Sequence, residues 1–385
     1  MSAQPTADAV VLVGGHGTRL RPLTLTTPKP MLPTSGVPFL EHLLSRISQA
    51  GITHVILGTS YRAEIFTEHF GDGSGFGLEI EYVVEEEPLG TGGAIRNVYE
   101  RLRAEEVLIF NGDILSGVDL AGLQHTHRDN NADVTLHLVR VADPRPFGSV
   151  PTAADGRVQA FLEKTTKTPA TDQINAGCYI FRRSVIARIP ADRPVSVERE
   201  TFPGLLKGGA RVFGHVDSSY WLDLGTPAAF VQGSADLVAG LAPTAALPKA
   251  ATHDCEHLSL PGSDIAYDAV LTGGVTVGAR AVVGPGAHLN RSVIFDDAVI
   301  GSGARVDGSV VGRGARLGAG AVLVDAVIGD GAVVGAGCEL LHGARVAKCR
   351  VTGQRNPILC TEPKPAWGEP SYSSTGSARS TANRR

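Results

Sequence analysis

The sequence predicts two architectures in one chain: an α/β domain built on a parallel or mixed sheet, and behind it a β-helix. Over residues 1–236, short apolar runs alternate with amphipathic segments, as strands and helices laid down in turn would. From Ile265 onward, aliphatic residues recur about every six positions, the period of β-helix faces. Glycine, at 47 of 385 residues, is abundant enough for a turn-rich repeat and too scarce for collagen.

The elements follow in order. Ala9–Val13 is an apolar run ending in Gly14-Gly15 and reads as a buried strand. Leu40, Leu43, Leu44 and Ile47 share one face of a helix that Gly51 stops. His54–Gly58 is the next strand. Val107–Phe110 is another and runs into Asn111-Gly112-Asp113, while Asp133–Val141 alternates as a longer strand. In such sheets ligands gather beyond the carboxyl ends of strands, where Gly14 and Asp113 would lie. Residues 237–262, rich in Ala, Pro and His, read as a linker. Residues 263–352 carry the repeat, at Ile265, Leu271, Val277, Val283 and Leu289, then Ile294, Ile300 and Val306, then Val311, Leu317 and Leu323, then Ile328, Val334, Leu340 and Val346. From Ile294 to Ile328 the spacings run 6, 6, 5 twice, so three steps make one coil. Residues 353–385 lack periodicity, are rich in Ser, Thr, Pro and Arg, and read as a disordered tail.

Composition excludes several classes. A net charge of −4 gives no basic excess for nucleic acid. No apolar run reaches the length of a membrane span, and the N-terminal residues lack the pattern of a signal peptide. Five widely spaced cysteines (Cys178, Cys255, Cys338, Cys349 and Cys360) without a C-x-x-C argue against a disulfide framework or a zinc site, and fit the cytoplasm.

The chemistry concentrates in Val11–Pro33, VLVGGHGTRLRPLTLTTPKPMLP. Gly14, Gly15 and Gly17 follow a strand directly, and their main-chain N–H groups can crowd an anion. Arg19 and Lys29 add fixed positive charge. The loop is neither a Walker A sequence nor a dinucleotide fingerprint, since Leu20 stands where the latter needs glycine. Taken alone, these residues specify a phosphate-binding loop, or a glycine turn beside unrelated surface cations.

G-G-x-G-T-R-L-R-P-L-T followed by P-K-P resembles the sugar-phosphate nucleotidyltransferases, in the wording of their mannose-1-phosphate guanylyl branch. That resemblance, over about residues 8–350, implies a Rossmann-like catalytic domain at 1–236 and a left-handed β-helix at 263–352. It implies a reaction of GTP with mannose 1-phosphate that yields GDP-mannose and pyrophosphate. It further implies Mg²⁺ held by Asp113 of Asn111-Gly112-Asp113 and by Asp223 of the W-x-D-x-G-T-P element. Nucleotide contacts are implied for Val13, Gly14, Gly15, Gly17, Thr18, Arg19, Lys29, Gly90 and Thr91. Phe161-Leu162-Glu163-Lys164 resembles the F-x-E-K element, with Lys164 on the sugar phosphate and Glu163 on a sugar hydroxyl. Gly112, Gly148, Asn175 and Gly177 complete the sugar-phosphate set. Arg19, Lys29, Asp113, Lys164 and Asp223 are then the catalytic group. Singly, Glu163-Lys164 would be a surface ion pair and either aspartate a turn residue.

The resemblance also implies that the stretch around Gly90-Thr91-Gly92-Gly93 approaches the nucleobase, which makes Glu85, from its offset before Gly90, the first candidate for base choice. Guanine offers adjacent N1–H and N2–H donors to a carboxylate, whereas uracil and thymine offer one N–H. The bland alternative is a solvated acidic strand end. Some related enzymes have G-T-A-G where Gly92 stands here. The expected partners are GTP, mannose 1-phosphate and further copies of the chain, with no nucleic acid or membrane. Three other readings compete: the same fold with glucose 1-phosphate and dTTP or UTP, a non-catalytic regulatory subunit, and a β-helix acyltransferase relying on His288 or His342.

Overall fold

The computed structural model describes residues 7–351, apart from positions 61, 165, 167 and 192. The 353–385 tail and Cys360 lie outside the described residues. Seven strands form the sheet of the first domain: β1 (Asp8–Leu12), β2 (His54–Thr59), β3 (Glu79–Val84), β4 (Glu106–Asn111), β5 (Val134–Arg140), β6 (Gln173–Arg182) and β7 (Val212–Asp217). Their order across the sheet is β7-β5-β6-β4-β1-β2-β3. Neighbours run parallel except β6, which is antiparallel to both β4 and β5.

Each central strand is buried on both faces, so alternate residues enter different layers. Ala9, Val11, Val55, Leu57, Leu108 and Phe110 pack with Leu40, Leu43, Leu44 and Ile47 of the helix Phe39–Gln49. Val10, Ile56, Val107 and Ile109 point the other way, toward Ile95, Val98, Ile186 and Phe202. Gly51, at φ +78°, ends that first helix as its position predicts.

The aliphatic columns of the repeat are those of the stack. Val277, Ile294, Val311, Ile328 and Val346 lie in register on one face. Val283, Ile300, Leu317 and Val334 line the second. Leu289, Val306, Leu323 and Leu340 line the third. All point into one core, and each strand pairs with the strand one full coil later. Three parallel sheets stacked this way are consistent with a left-handed β-helix.

Two features depart from the linker reading of 237–262. The helix Pro227–Val238 runs past the expected boundary, and His257–Ser259 already pairs in parallel with Val275–Val277. The small residues around Ser234 look like linker composition because they form a close seam. Ser35 Oγ donates to the Ser234 carbonyl at 2.9 Å, and the Ser234 and Thr276 hydroxyls lie 3.1 Å apart. A Cβ on Gly274 would come within 2.7 Å of the Ala235 Cα. Only small side chains let the helix and the β-helix approach so closely.

The amino ends of β1–β3 hold a buried ionic network far from the carboxyl-end loops. His54 Nδ1 meets Asp8 Oδ1 at 2.7 Å, and its Nε2 meets Glu81 Oε1 at 3.1 Å. Asp8 Oδ2 also accepts from the backbone N–H groups of Arg103 and Ala104, and Arg103 pairs with Glu79 and Glu81. Burial alone would lower the His54 pKa, but its bonds to Asp8 and Glu81 outweigh burial and raise it. Burial would likewise raise Asp8 and Glu81, yet their bonds to His54 and neighbouring N–H groups bring both below the ordinary carboxylate range. A raised histidine stabilises fully below about pH 6.5, and that contribution fades as pH climbs through the raised value. The lowered carboxylates stabilise above about pH 4 and fade on acidification. The network therefore contributes most between about pH 4 and 6.5. His54→Gln should lower Tm at pH 5–6 and flatten the decline above pH 6.5 in melts followed from pH 5 to 9. An unchanged alkaline slope would assign that decline to other groups.

Candidate active site

The site is built where β1 and β4 end side by side. Leu12 pairs with Asn111, and Gly112 N–H donates to the Leu12 carbonyl at 2.9 Å, so the glycine loop and Asn111-Gly112-Asp113 leave the sheet together. Between them opens a cleft of about 370 Å³. Val13, Gly14, Gly15, Gly17, Thr18, Arg19, Lys29, Thr91, Gly112 and Asp113 all line it. Gly17 sits at φ +58°, and a Cβ there would stand 3.0 Å from both Lys29 Cβ and Thr24 Cγ2. The loop thus folds tightly against Lys29, and Thr24 Oγ1 clamps it by donating to the Gly17 carbonyl at 2.9 Å.

Asp223 reaches the site from a distant part of the chain. Trp221–Asp223 pairs antiparallel with Ile114–Ser116, which aligns Asp223 with Ile114, the neighbour of Asp113. Lys29, only 8% exposed, bridges the two carboxylates, with Nζ 2.9 Å from Asp113 Oδ2 and 3.9 Å from Asp223 Oδ1. Burial, then repulsion from Asp113, raise the Asp223 pKa, and Lys29 and Arg19 offset this only in part. Asp223 Oδ1 is buried without a hydrogen-bond partner. An orphaned carboxylate oxygen next to a second carboxylate fits a cation ligand. Two hard oxygen donors suit Mg²⁺, whose remaining positions water or phosphate would fill. Among the described residues there is no group of three or more His, Cys, Asp or Glu side chains that could hold a metal.

The sugar-phosphate set divides. Gly148, Glu163, Lys164 and Asn175 line a second hollow of about 140 Å³, together with Phe147, Phe161, Glu198 and Arg199. Asn175 Nδ2 donates to Glu198 Oε1 at 2.9 Å and to the Tyr179 hydroxyl at 2.8 Å. Glu163 pairs with Arg199 at 3.3 Å. Gly112 belongs to the first cleft. Gly177, at φ +76°, lines neither. It packs against Asn111, whose Nδ2 would lie 2.9 Å from a Cβ at 177. Glu198 and Arg199 were not legible beforehand, since a run of charged residues carries no assignment by itself.

Glu85 and Gly90 lie off the lining of the main cleft. Glu85 follows β3 directly, half-buried, and its Oε2 accepts from the Leu89 N–H at 3.2 Å. Burial raises its carboxyl above the ordinary range, and the Leu89 bond offsets only part of that. Gly90, at φ +66°, opens a helix packed on Val195. A Cβ at Gly92 would come within 2.9 Å of Val195 Cγ1, which accounts for glycine in the third position of this G-T-G-G turn.

Residues 8–240 match the Nucleotidyl transferase family model. The chain belongs to the nucleotidyl transferase family. Residues 256–351 of this nucleotidyl transferase match a second model, the GMPPB C-terminal domain. It is 62% identical over 290 residues to a protein of Mycobacterium tuberculosis named mannose-1-phosphate guanylyltransferase, covering 75% of this chain and 80% of that one. It is 36% identical to the mannose-1-phosphate guanylyltransferase catalytic subunit beta of Drosophila pseudoobscura, over 58% of this chain and 61% of that one. Among solved structures, HddC of Yersinia pseudotuberculosis, crystallised with GMP-PN, superposes with a TM-score of 0.53 at 30% identity. That match covers 60% of this chain and 99% of HddC. Among the described residues, no helix is long and apolar enough to cross a membrane.

Gly225 provides a test of the cleft geometry. A Cβ there would stand 2.5 Å from Arg19 Nη2 and 2.9 Å from Asp223 Oδ1. The obstructed atoms end flexible side chains, so Gly225→Ala should fold and melt normally while displacing the Arg19 guanidinium. A displacement of that size should lower kcat/KM about 10- to 100-fold. Activity within twofold of wild type would show that Arg19 does not act from this position.

Proposed function

We propose that this nucleotidyl transferase transfers the guanylyl group of GTP to mannose 1-phosphate, releasing pyrophosphate and GDP-mannose. The observation that carries the reading is the 62% identity to a mannose-1-phosphate guanylyltransferase across most of both chains. The cleft supports it: the glycine loop, two cations and two carboxylates meet beside a second polar hollow. A non-catalytic regulatory copy of the fold would have no need to bring these charged groups together.

The acceptor oxygen belongs to a phosphate and is already anionic, so no general base is required. The obstacle is the approach of two polyanions and the charge that builds on the α-phosphate. In this reading, Arg19, Lys29 and the main chain of Gly14, Gly15 and Gly17 receive the triphosphate, with Val13, Thr18 and Thr91 along the cleft wall. Lys164 receives the sugar phosphate, and Glu163 and Asn175 its hydroxyls, from the second hollow. Gly112 and Gly148 keep the walls low enough for substrate, and Gly177 lets the chain pack closely on Asn111 behind them. Asp113 and Asp223 would hold Mg²⁺, which when bound supplies positive charge to phosphate oxygens. A cytoplasmic homo-oligomer completes the reading, and the free thiols of Cys178, Cys255 and Cys338 suit a reducing compartment.

Two experiments test this. Asp113→Asn and Asp223→Asn should each lower turnover about 10²–10³-fold at saturating Mg²⁺, the scale of one lost electrostatic contact to the transition state. Both should retain the wild-type melt, and near-normal turnover in either would remove that residue from the catalytic group. A pyrophosphate-release panel crossing four nucleotides with mannose, glucose and N-acetylglucosamine 1-phosphates should favour GTP over dTTP and UTP by at least about tenfold, with mannose 1-phosphate the best acceptor. Glu85→Gln should narrow that preference. Wild-type preference for dTTP or UTP would overturn the guanylyl assignment, and an unchanged preference in Glu85→Gln would take Glu85 out of base selection.

A further inference from the structure

The β-helix touches the glycine-loop segment in a way that neither the fold nor the reaction requires. In each coil the residue before an inward aliphatic points outward. On the face toward the first domain these outward residues are Val293, Val310, Val327 and Arg345, in register. The three valines are buried and cluster with Leu20, Leu23 and Leu32 of the segment carrying Arg19 and Lys29. On another face, the outward residues His288 and Arg305 are exposed, as solvent-facing positions of a β-helix usually are. Outward valines occur on the other faces too, at Val282, Val299 and Val322, but are only partly buried there; Val293, Val310 and Val327 are fully buried because the loop segment lies on them.

Arg345 ends the column differently. Its Nη1 donates to the Arg19 carbonyl at 2.5 Å and to the Arg21 carbonyl at 2.7 Å. These carbonyls belong to a single short turn, Thr18–Leu20 and its cap, held within itself by Leu20 N–H to Gly17 and Arg21 N–H to Thr18. One turn of this kind defines its own position weakly. The Arg19 side chain leaves the same residue and lies over Gly225 beside Asp223. A charge-assisted bond to the Arg19 carbonyl thus fixes the backbone from which that guanidinium is aimed.

We propose that Arg345 is a positioning residue of the nucleotide cleft: from the β-helix it anchors the Arg19–Arg21 main chain and so sets where the Arg19 guanidinium meets the triphosphate. The proposal rests on reading this cleft as the nucleotide site. It makes the β-helix part of the active-site support.

The test uses the full chain with Mg²⁺. GTP binding to wild type and Arg345→Ala is measured by calorimetry, and KM for GTP and for mannose 1-phosphate is measured beside kcat. Arg345→Ala should lose about tenfold or more in kcat/KM for GTP, while KM for mannose 1-phosphate moves less than twofold. Arg345→Lys, which retains a cationic donor, should recover most of the loss. Val351→Ala, in the core of the last coil, serves as a control that weakens the β-helix without touching the loop. Arg345→Ala within twofold of wild type for every constant overturns the proposal. So does a loss shared equally by both substrates that follows Tm as in Val351→Ala, since that would be general destabilisation. Failure of wild type itself to bind GTP overturns the reading of the cleft, and the positioning role with it.

Discussion

Asp113, Asp223 and Lys29 are held where electrostatics alone would not gather them. Two carboxylates repel, and taking Asp223 out of water is costly, which is why its pKa rises despite two nearby cations. The backbone imposes the arrangement. Register between β1 and β4 delivers Asp113, and the short ribbon Ile114–Ser116 with Trp221–Asp223 delivers its partner. Two glycines beside this cluster leave little room for a side chain. A Cβ at Gly112 would fall 2.6 Å from Val13 Cγ1, and one at Gly225 would push on Arg19. The surrounding architecture can be understood as the means of keeping one cation and two anions close, partly dry and open on one side to a further anion.

The two domains are joined by surfaces made for each other. Ser234, Ala235 and Gly274 form a seam too narrow for larger residues, and Phe230, Val231 and Phe295 extend it into the valine column beneath Leu20 and Leu23. Burying each such valine is worth about 1.5–3 kcal/mol. The glycine-loop segment therefore borrows much of its definition from the β-helix under it.

What the sequence made legible, and what it did not, follows from the range of each signal. The helix face Leu40–Ile47, the strand before Gly14 and the columns from Val277 to Val346 are local periodicities, and they are where pattern reading placed them. The glycine loop, Lys29, Asp113 and Asp223 were recognisable as motifs, but their meeting depends on strand pairing between segments far apart in the chain, which no spacing displays. The seam at Ser234 was not legible, because small residues at a tight contact look like any run of small residues. Glu198, Arg199 and Arg345 escaped altogether: each meets a partner distant in sequence, and an arginine in a β-helix coil is ordinarily just a solvated outward position.

The regular coil of the β-helix has a consequence for length. Stacked strands advance about 4.8 Å per coil, so the number of coils between the seam at Thr276 and the anchor at Arg345 works as a ruler. Losing or gaining one whole coil there would leave an intact β-helix and a well-filled core, yet carry the guanidinium one strand spacing from the carbonyls it serves. A single extra residue is absorbed in a turn instead, as in the last coil, where Val327 pairs with Arg345 and Val346 still points inward. This stretch is therefore bound in length as well as in composition, whereas added coils beyond Val351 would leave the distance from the seam to the anchor unaltered.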